Sequence, residues 1–333
     1  MATILVAGGA GFIGSHTVLE LDRAGHKVIV LDDLSNGHAD SVLAGEFIKG
    51  SIHDRALLDR LFQKNAVDAV IHFAAFIEAG ESMVNPMAFY HNNVAGSLTL
   101  IEAMVDAGVR RLVFSSTAAV YGQPETDGAL RETLPKFPIN PYGQSKWAVE
   151  CMIRDVATTG ALDAYALRYF NAAGSDPDGR IGERHDPETH LIPLVLDAAL
   201  GTRAEIKIFG TDYTTMDGTC IRDYIHVCDL ATAHGSAVEK LLARPDQTSG
   251  FYDALNLGIG TGYSVRQVVE TVRAITGKDF TVTEVARRPG DPATLVADAA
   301  RAHEALNWAP KYPELSAMIE HAWRFRQKHG KHA

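Results

Sequence analysis

Tyr142 and Lys146 stand four residues apart in the run Asn140-Pro141-Tyr142-Gly143-Gln144-Ser145-Lys146, with Ser115-Ser116-Thr117 upstream. Asn is a favoured helix N-cap and Pro a favoured first helical residue, so the run predicts a helix over 142–158 with Tyr142 in its first turn. Lys146, at i+4, then shares a face with the tyrosine, about 5–6 Å away. A free phenol, with a pKa near about 10, is a poor base at neutral pH. A neighbouring ammonium and the positive end of a helix both favour its phenolate. Thr117 is expected to share the hydrogen bond of a substrate hydroxyl and shorten the path of its proton. This is the apparatus for taking a proton from an alcohol as a hydride leaves its carbon. Tyr and Lys on one helix face are also an ordinary surface pair, so the reading needs a hydride acceptor close by.

The acceptor's site is written at the other end of the chain. Residues 3–7 form a short apolar run of strand type, followed by Gly8, Gly9, Gly11 and Gly14 and a helical stretch over 15–24. Such glycines allow a tight turn, close approach of backbone N–H groups to a pyrophosphate, and close packing of helix on strand. The next strand, 27–31, ends in Asp32, 18 residues beyond Gly14, where a carboxylate accepts both hydroxyls of an adenosine ribose. Asp32-Asp33 without a nearby Arg favours NAD over NADP. Asn36 and its turn are expected to add ribose or phosphate contacts.

Strand and helix patterns alternate through the first half. Strands are expected at 46–49, 69–73, 111–115 and 163–170, and helices at 55–64, 86–105 and 142–158. Alternation of this kind means a doubly wound parallel sheet with helices on both faces, an α/β fold of Rossmann type. Ligands sit beyond the carboxyl ends of such strands, where His72-Phe73-Ala74-Ala75, Ser115-Ser116-Thr117 and Tyr169-Phe170-Asn171 all fall. One site is implied. After Asn171 the texture changes. A helix at 192–200, strands at 205–209 and 254–257, a strand-turn-helix over 223–240, and a tail of 264–275, 281–284 and 315–327 suggest a smaller α/β lobe. The expected division is a dinucleotide-binding domain over 1–171, rejoined by about 223–257, and an interleaved substrate lobe over 172–333.

Composition excludes several classes. The 333 residues carry a net charge of −10 and no long basic run, so nucleic acid and anionic membranes are not expected partners. No apolar stretch approaches the ~20 residues that span a bilayer, and a strand from residue 3 leaves no room for a secretory leader. Cys151, Cys220 and Cys228 show no CxxC spacing and are read as buried small residues of a reduced, cytoplasmic protein. The 14 His show no metal-binding spacing, and no metal is expected.

With these motifs in place, the chain resembles the extended short-chain dehydrogenase/reductases, and among them the UDP-glucose (UDP-galactose) 4-epimerases. The likeness runs end to end through GGAGFIGSH, LDDLSNG, VIHFAA, GESMVNP, NNVAGSL, FSSTAAVYG, NPYGQSK, LRYFNAAG, LNLG and RRPGD. The stretch 209–227 is the most specific, because it belongs to the sugar-nucleotide lobe. The resemblance implies reversible 4-epimerisation of UDP-glucose and UDP-galactose through a 4-ketopyranose. Tyr142 would take and return the 4-hydroxyl proton beside tightly held NAD, with Lys146 on the nicotinamide ribose. It implies cofactor contacts from Gly8, Gly11, Phe12, Ile13, Gly14, Asp32, Asn36, Ser51, Ile52, Phe73, Ala74, Ala75, Asn92, Ser115, Tyr142, Lys146 and Tyr169. For the substrate it implies Thr117, Tyr142, Asn171, His190, Leu191, Leu295, the backbone at Ile208 and Phe209 for uracil, Arg222 and Arg288 for the diphosphate, and Asp291 for the uridine ribose. Two arginines suit a diphosphate on chemistry alone. The resemblance also implies a homodimer, with apolar residues of helices 86–105 and 142–158 (Leu98, Leu100, Ile101, Met104, Trp147, Met152, Ile153) meeting across a two-fold axis.

Four positions depart from the family's pattern. Ile77-Glu78 stands where Lys follows HFA, Ser51 where an Asp often meets adenine, His190 where some members place Asn, and Leu295 where some carry a Tyr near the sugar's 2-position. Competing activities fare worse. A 4,6-dehydratase or a decarboxylase needs an acid after the active-site Thr, and here Ala118 and Ala119 transfer no proton. A dehydrogenase releasing NADH would exchange its cofactor, and a mere dinucleotide sensor would not need Tyr142 and Lys146 at this spacing. Epimerases of the N-acetylated UDP-hexoses or of UDP-xylose and UDP-arabinose stay open.

Overall fold

The computed structural model describes residues 1–123, 128–245, 249–288 and 291–330. Pro289 and Gly290 of the RRPGD motif, and the last three residues of the expected second lobe, lie outside them. Seven strands form one parallel sheet: β1 (Thr3–Ala7), β2 (Lys27–Asp32), β3 (Glu46–Lys49), β4 (Ala69–His72), β5 (Arg111–Thr117), β6 (Asp163–Tyr169) and the late-coming β10 (Phe251–Leu257). Their order is β10-β6-β5-β4-β1-β2-β3. Winding runs outward from β1 through β2 to β3, then restarts on the other side of β1 at β4. This switch point opens a crevice beyond the carboxyl ends of β1 and β4, where doubly wound sheets bind ligands.

Both faces of the sheet are covered. Helices α1 (Phe12–Arg23), α8 (Val227–Leu242) and α10 (Ala300–Leu306) bury Val18, Leu21, Leu230, Val238 and Leu306 against one face. On the other, α2 (Arg55–Lys64), α5 (Gly96–Asp106) and α6 (Pro141–Thr158) bury Leu58, Leu61, Leu100, Met104, Val149 and Ile153. A third core joins α7 (Leu191–Ala199), α9 (Val265–Thr276) and α11 (Leu315–His329) through Val195, Leu196, Val268, Val272, Met318 and Ile319. Around it lie β7 (Asn171–Ala173), β9 (Ile221–His226), β11 (Gly262–Ser264) and β13 (Thr294–Leu295), with β8 (Glu205–Phe209) paired to β12 (Thr281–Val285). No helix among the described residues is long and apolar enough to cross a membrane.

The helix expected over 86–105 is subdivided. It opens as α4 (Pro86–Phe89) after a separate α3 (Ala79–Val84), widens into a π-helical segment over Tyr90–Ala95, and continues as α5. Hydrophobic periodicity does not register such a widening. Its effect is to present the buried Asn93, which donates to the Phe76 carbonyl at 3.0 Å and to Ser145 Oγ at 3.0 Å, and accepts from Phe76 N–H at 2.8 Å. The apolar residues expected between subunits divide as well. Leu100, Ile101, Met104 and Ile153 belong to this chain's own core, because each faces the sheet, while Leu98 is exposed together with Met83, Val84, Met87, Tyr90 and Val105.

Candidate active site

The glycine turn leaves β1 and enters α1 with its backbone packed too tightly for side chains. Gly8 has φ +82°, and a Cβ there would lie 2.4 Å from Ala74 N; one on Gly14 would lie 2.1 Å from the Gly8 carbonyl oxygen. Gly11, the N-cap of α1, is open toward the crevice, with no capping side chain and no acid in the helix's first turn. The unpaired N–H groups and the positive helix end are thus available to an anion. At the end of β2, Asp32 accepts from Ala10 N–H at 2.9 Å and Leu34 N–H at 2.8 Å, which fixes its carboxylate at the rim. These residues fit a dinucleotide: phosphates at Gly11, ribose at Asp32.

Asn140 caps α6 through its side chain, accepting from Gly143 N–H at 2.8 Å, with Pro141 in the first position. This delivers Tyr142 to the crevice wall and sends Lys146 beneath it. Lys146 is 3% exposed and donates to the Ser115 carbonyl at 2.9 Å. Ser115 Oγ in turn shares a hydrogen bond of 2.8 Å with the Tyr169 hydroxyl. Electrostatics differ from the expectation of a ready phenolate. Burial pushes the Tyr142 phenol well above its ordinary value, Tyr169 and Glu78 adding to the rise and a hydrogen bond with Thr117 opposing it. Burial likewise brings Lys146 down to about 7, opposed by the charge of Glu150. Desolvation is the largest influence, so the protein alone holds Tyr142 as a neutral phenol.

A single cavity takes in most of the residues singled out from sequence: Gly8, Gly11, Phe12, Ile13, Gly14, Asp32, Asn36, Ser51, Ile52, Phe73, Ala74, Ala75, Asn92, Thr117, Tyr142, Tyr169, Asn171, His190 and Leu191. Ser115 and Lys146 lie beneath its wall. The remaining substrate residues form a neighbouring cluster. Arg222 pairs with Asp291, the Arg288 guanidinium lies 3.8 Å from the centre of the Phe209 ring, and Leu295 stands beside Arg222 in the β9–β13 register. Ile208 is 1% exposed and offers only its backbone. Asn171 joins cluster to cavity, donating to the Asp223 carbonyl at 3.0 Å.

Three groups, His190 aside, escaped sequence reasoning. Glu150 is wholly buried one turn beyond Lys146 and accepts from Ser116 Oγ, from Arg168 Nη2 at 2.5 Å and from the Tyr252 hydroxyl at 2.9 Å. Its i+4 spacing from Lys146 was the available signal. Asn93 was hidden by the π-helical turn. Glu183, His185, Glu188 and His190 converge in the loop before α7, and their alternate spacing, ExHxxExH, was legible but matches no common metal motif.

Comparison with known proteins assigns the lineage. Residues 4–256 match the model of the NAD dependent epimerase/dehydratase family. The chain belongs to this family. Within it, a UDP-glucose 4-epimerase of Halalkalibacterium halodurans is 51% identical over 326 residues, covering 98% of this chain and 96% of the relative. The UDP-glucose 4-epimerase of Brucella ovis, solved in complex with NAD, superposes with a TM-score of 0.92 at 45% identity over 98% of both chains. That of Bifidobacterium longum, in complex with NAD+ and UDP, gives 0.90 at 36% identity, again over 98% of both. Against this family background Ile77 lines the cavity with no cation, and Glu78 turns its carboxylate back onto Ile77 N–H at 3.1 Å. His190 takes the N-cap position of α7 and leans on Glu183.

Proposed function

We propose that the protein interconverts UDP-glucose and UDP-galactose by oxidation and re-reduction at C4 of the sugar, with NAD retained throughout. The observation that carries this reading is one cavity lined together by the glycine turn with Asp32, by Thr117 and Tyr142, and by Asn171, His190 and Leu191. Bound NAD supplies the hydride acceptor and, on the return, the donor. Tyr142 takes the 4-hydroxyl proton and gives it back, Thr117 holds the same hydroxyl, and Lys146 reaches the nicotinamide ribose from beneath. Asn171, His190, Arg222 and Arg288 receive the diphosphate, Asp291 the uridine ribose, and the backbone at Ile208 and Phe209 the uracil. Residues 1–171 with 223–257 would serve the cofactor, and the remainder the nucleotide sugar. Relatives named UDP-glucose 4-epimerase, matching end to end, support this assignment.

Protein purified without added nucleotide is expected to carry about one NAD per chain and to convert UDP-galactose without external NAD. Release of stoichiometric NADH during turnover would point to a dehydrogenase instead.

Substrate range follows from Leu295, which packs against the cluster of Ala118, Val120, Tyr121 and Leu130 that follows Thr117 in the chain. A leucine leaves more room there than a tyrosine. Discrimination of size in apolar pockets is worth about 1–3 kcal/mol per methylene. UDP-glucose and UDP-galactose are the expected preferred pair, with measurable turnover of the N-acetylated pair. Leu295→Tyr should depress the second activity by about tenfold more than the first. Equal losses on both substrates would remove Leu295 from this role.

A homodimer is part of the same proposal. Met83, Val84, Met87, Tyr90, Leu98 and Val105 are exposed apolar residues on consecutive helical segments, which a two-fold axis would bury. Sedimentation at micromolar concentration should report a dimer; a monomer would reject it. A reducing, cytoplasmic setting accords with the unpaired Cys151, Cys220 and Cys228.

A further inference from the structure

The loop between β7 and α7 brings four ligand-type side chains to one point. Nδ1 of His185, Nδ1 of His190 and carboxylate oxygens of Glu183 and Glu188 all lie within 4.8 Å of one another. His185 Nδ1 is 3.2 Å from Glu183 Oε1 and 3.8 Å from Glu188 Oε1; His190 Nδ1 is 4.0 Å from Glu188 Oε1 and in direct contact with Glu183. Four bonds of about 2.0–2.2 Å to a tetrahedral zinc ion set its ligand atoms roughly 3.3–3.5 Å apart. The observed separations bracket that edge. We propose that Glu183, His185, Glu188 and His190 bind one divalent transition-metal ion of the zinc type.

Three further features support a cation here. His185 Nδ1 is shielded from solvent and completes no hydrogen bond, although a carboxylate oxygen stands 3.2 Å away. An ion between the two satisfies both. Two carboxylates and a divalent cation also cancel, which lets Glu183, only 5% exposed, stay buried without net charge. The outer contacts are those that orient metal ligands. Arg326 donates to Glu188 Oε2 at 3.3 Å, and the Thr189 and His190 N–H groups donate to Glu188 Oε1 at 2.8 and 2.9 Å.

Imidazole with carboxylate suits zinc and its neighbours in the first transition row better than magnesium or calcium. Four protein ligands leave no open position for chemistry, so the ion's role is to brace the loop, and His190, bound through Nδ1, keeps Nε2 for the diphosphate. That loop carries His185 and His190 into the cavity wall and leads directly into Leu191, the first residue of α7. The metal therefore fixes the stretch of cavity wall beside the glycine turn, where the His185 ring stands edge-on to Phe12 with centroids 6.4 Å apart.

The test uses the untagged full-length protein with its retained nucleotide, stripped with a chelator and titrated with Zn²⁺ by calorimetry, with metal content by mass spectrometry. One equivalent should bind at micromolar affinity or tighter and raise the melting temperature. His185→Asn and, separately, Glu188→Gln should each weaken binding at least 100-fold and abolish the thermal shift, with circular dichroism and bound nucleotide unchanged. Should one variant fail to fold, the other carries the measurement. Absence of binding by the unaltered protein, or unchanged affinity in the folded variants, overturns the site. Metal content is read without turnover, so this result and the failure of the proposed activity are distinguishable.

Discussion

Tyr142→Phe is expected to lower the turnover of UDP-galactose by about 10²–10⁴-fold, the range for loss of a general acid–base group. That corresponds to about 3–5 kcal/mol of barrier at about 1.4 kcal/mol per tenfold. The phenol is the proton carrier that lines the cavity together with Thr117, which opposes the rise that burial imposes on it. In the protein alone burial keeps the phenol neutral, so the variant removes a proton path and not an ionic contact. Bound NAD and the melting temperature should therefore stay close to those of the unaltered enzyme. The ring keeps its place through the Asn140 cap and Pro141, which the substitution does not touch. Turnover within about tenfold of the unaltered protein, with NAD retained, would take Tyr142 out of the chemistry.

The sheet was legible because its signals are local. A parallel strand buried on both faces reads as an apolar run, and the strands expected at 69–73 and 111–115 are found at Ala69–His72 and Arg111–Thr117. The glycine turn was legible because backbone packing at Gly8 and Gly14 leaves no alternative residue. Three-residue β7 and β11 and two-residue β13 are held by partners distant in sequence and carry no period of their own. Four of the apolar residues expected between subunits, Leu100, Ile101, Met104 and Ile153, lie in the chain's own core for a related reason. Helical periodicity shows that α5 and α6 have broad apolar faces but not how much of each the sheet consumes, and Leu100, Met104 and Ile153 are consumed entirely. Proton affinities were the least legible of all. Charge neighbours can be read from spacing, but the burial that lowers Lys146 to about 7 is a property of the packed whole.

Glu150 is wholly buried, and its loss should cost the fold heavily. Glu150→Ala is expected to lower the free energy of unfolding by about 3–5 kcal/mol, the cost of stranding one member of a buried ion pair. Arg168, 2% exposed, would keep the Tyr121 hydroxyl, 3.0 Å from Nη1, and the faces of Tyr121 and Trp147, none of them a charge, while Ser116 and Tyr252 lose their acceptor. Urea unfolding followed by circular dichroism measures the loss; a change below about 1 kcal/mol would mean that Arg168 reaches water in the variant. Glu150→Gln separates support of the fold from support of the site, since it keeps a carbonyl acceptor but removes the charge. The Glu150 charge raises the proton affinity of Lys146, against burial. Without it, Lys146 should lose its proton at a lower pH than about 7. If cationic Lys146 is needed beside Tyr142, the alkaline side of the activity profile must move toward acid in Glu150→Gln. A purely structural Glu150 would reduce the amount of folded enzyme and leave that profile where it was.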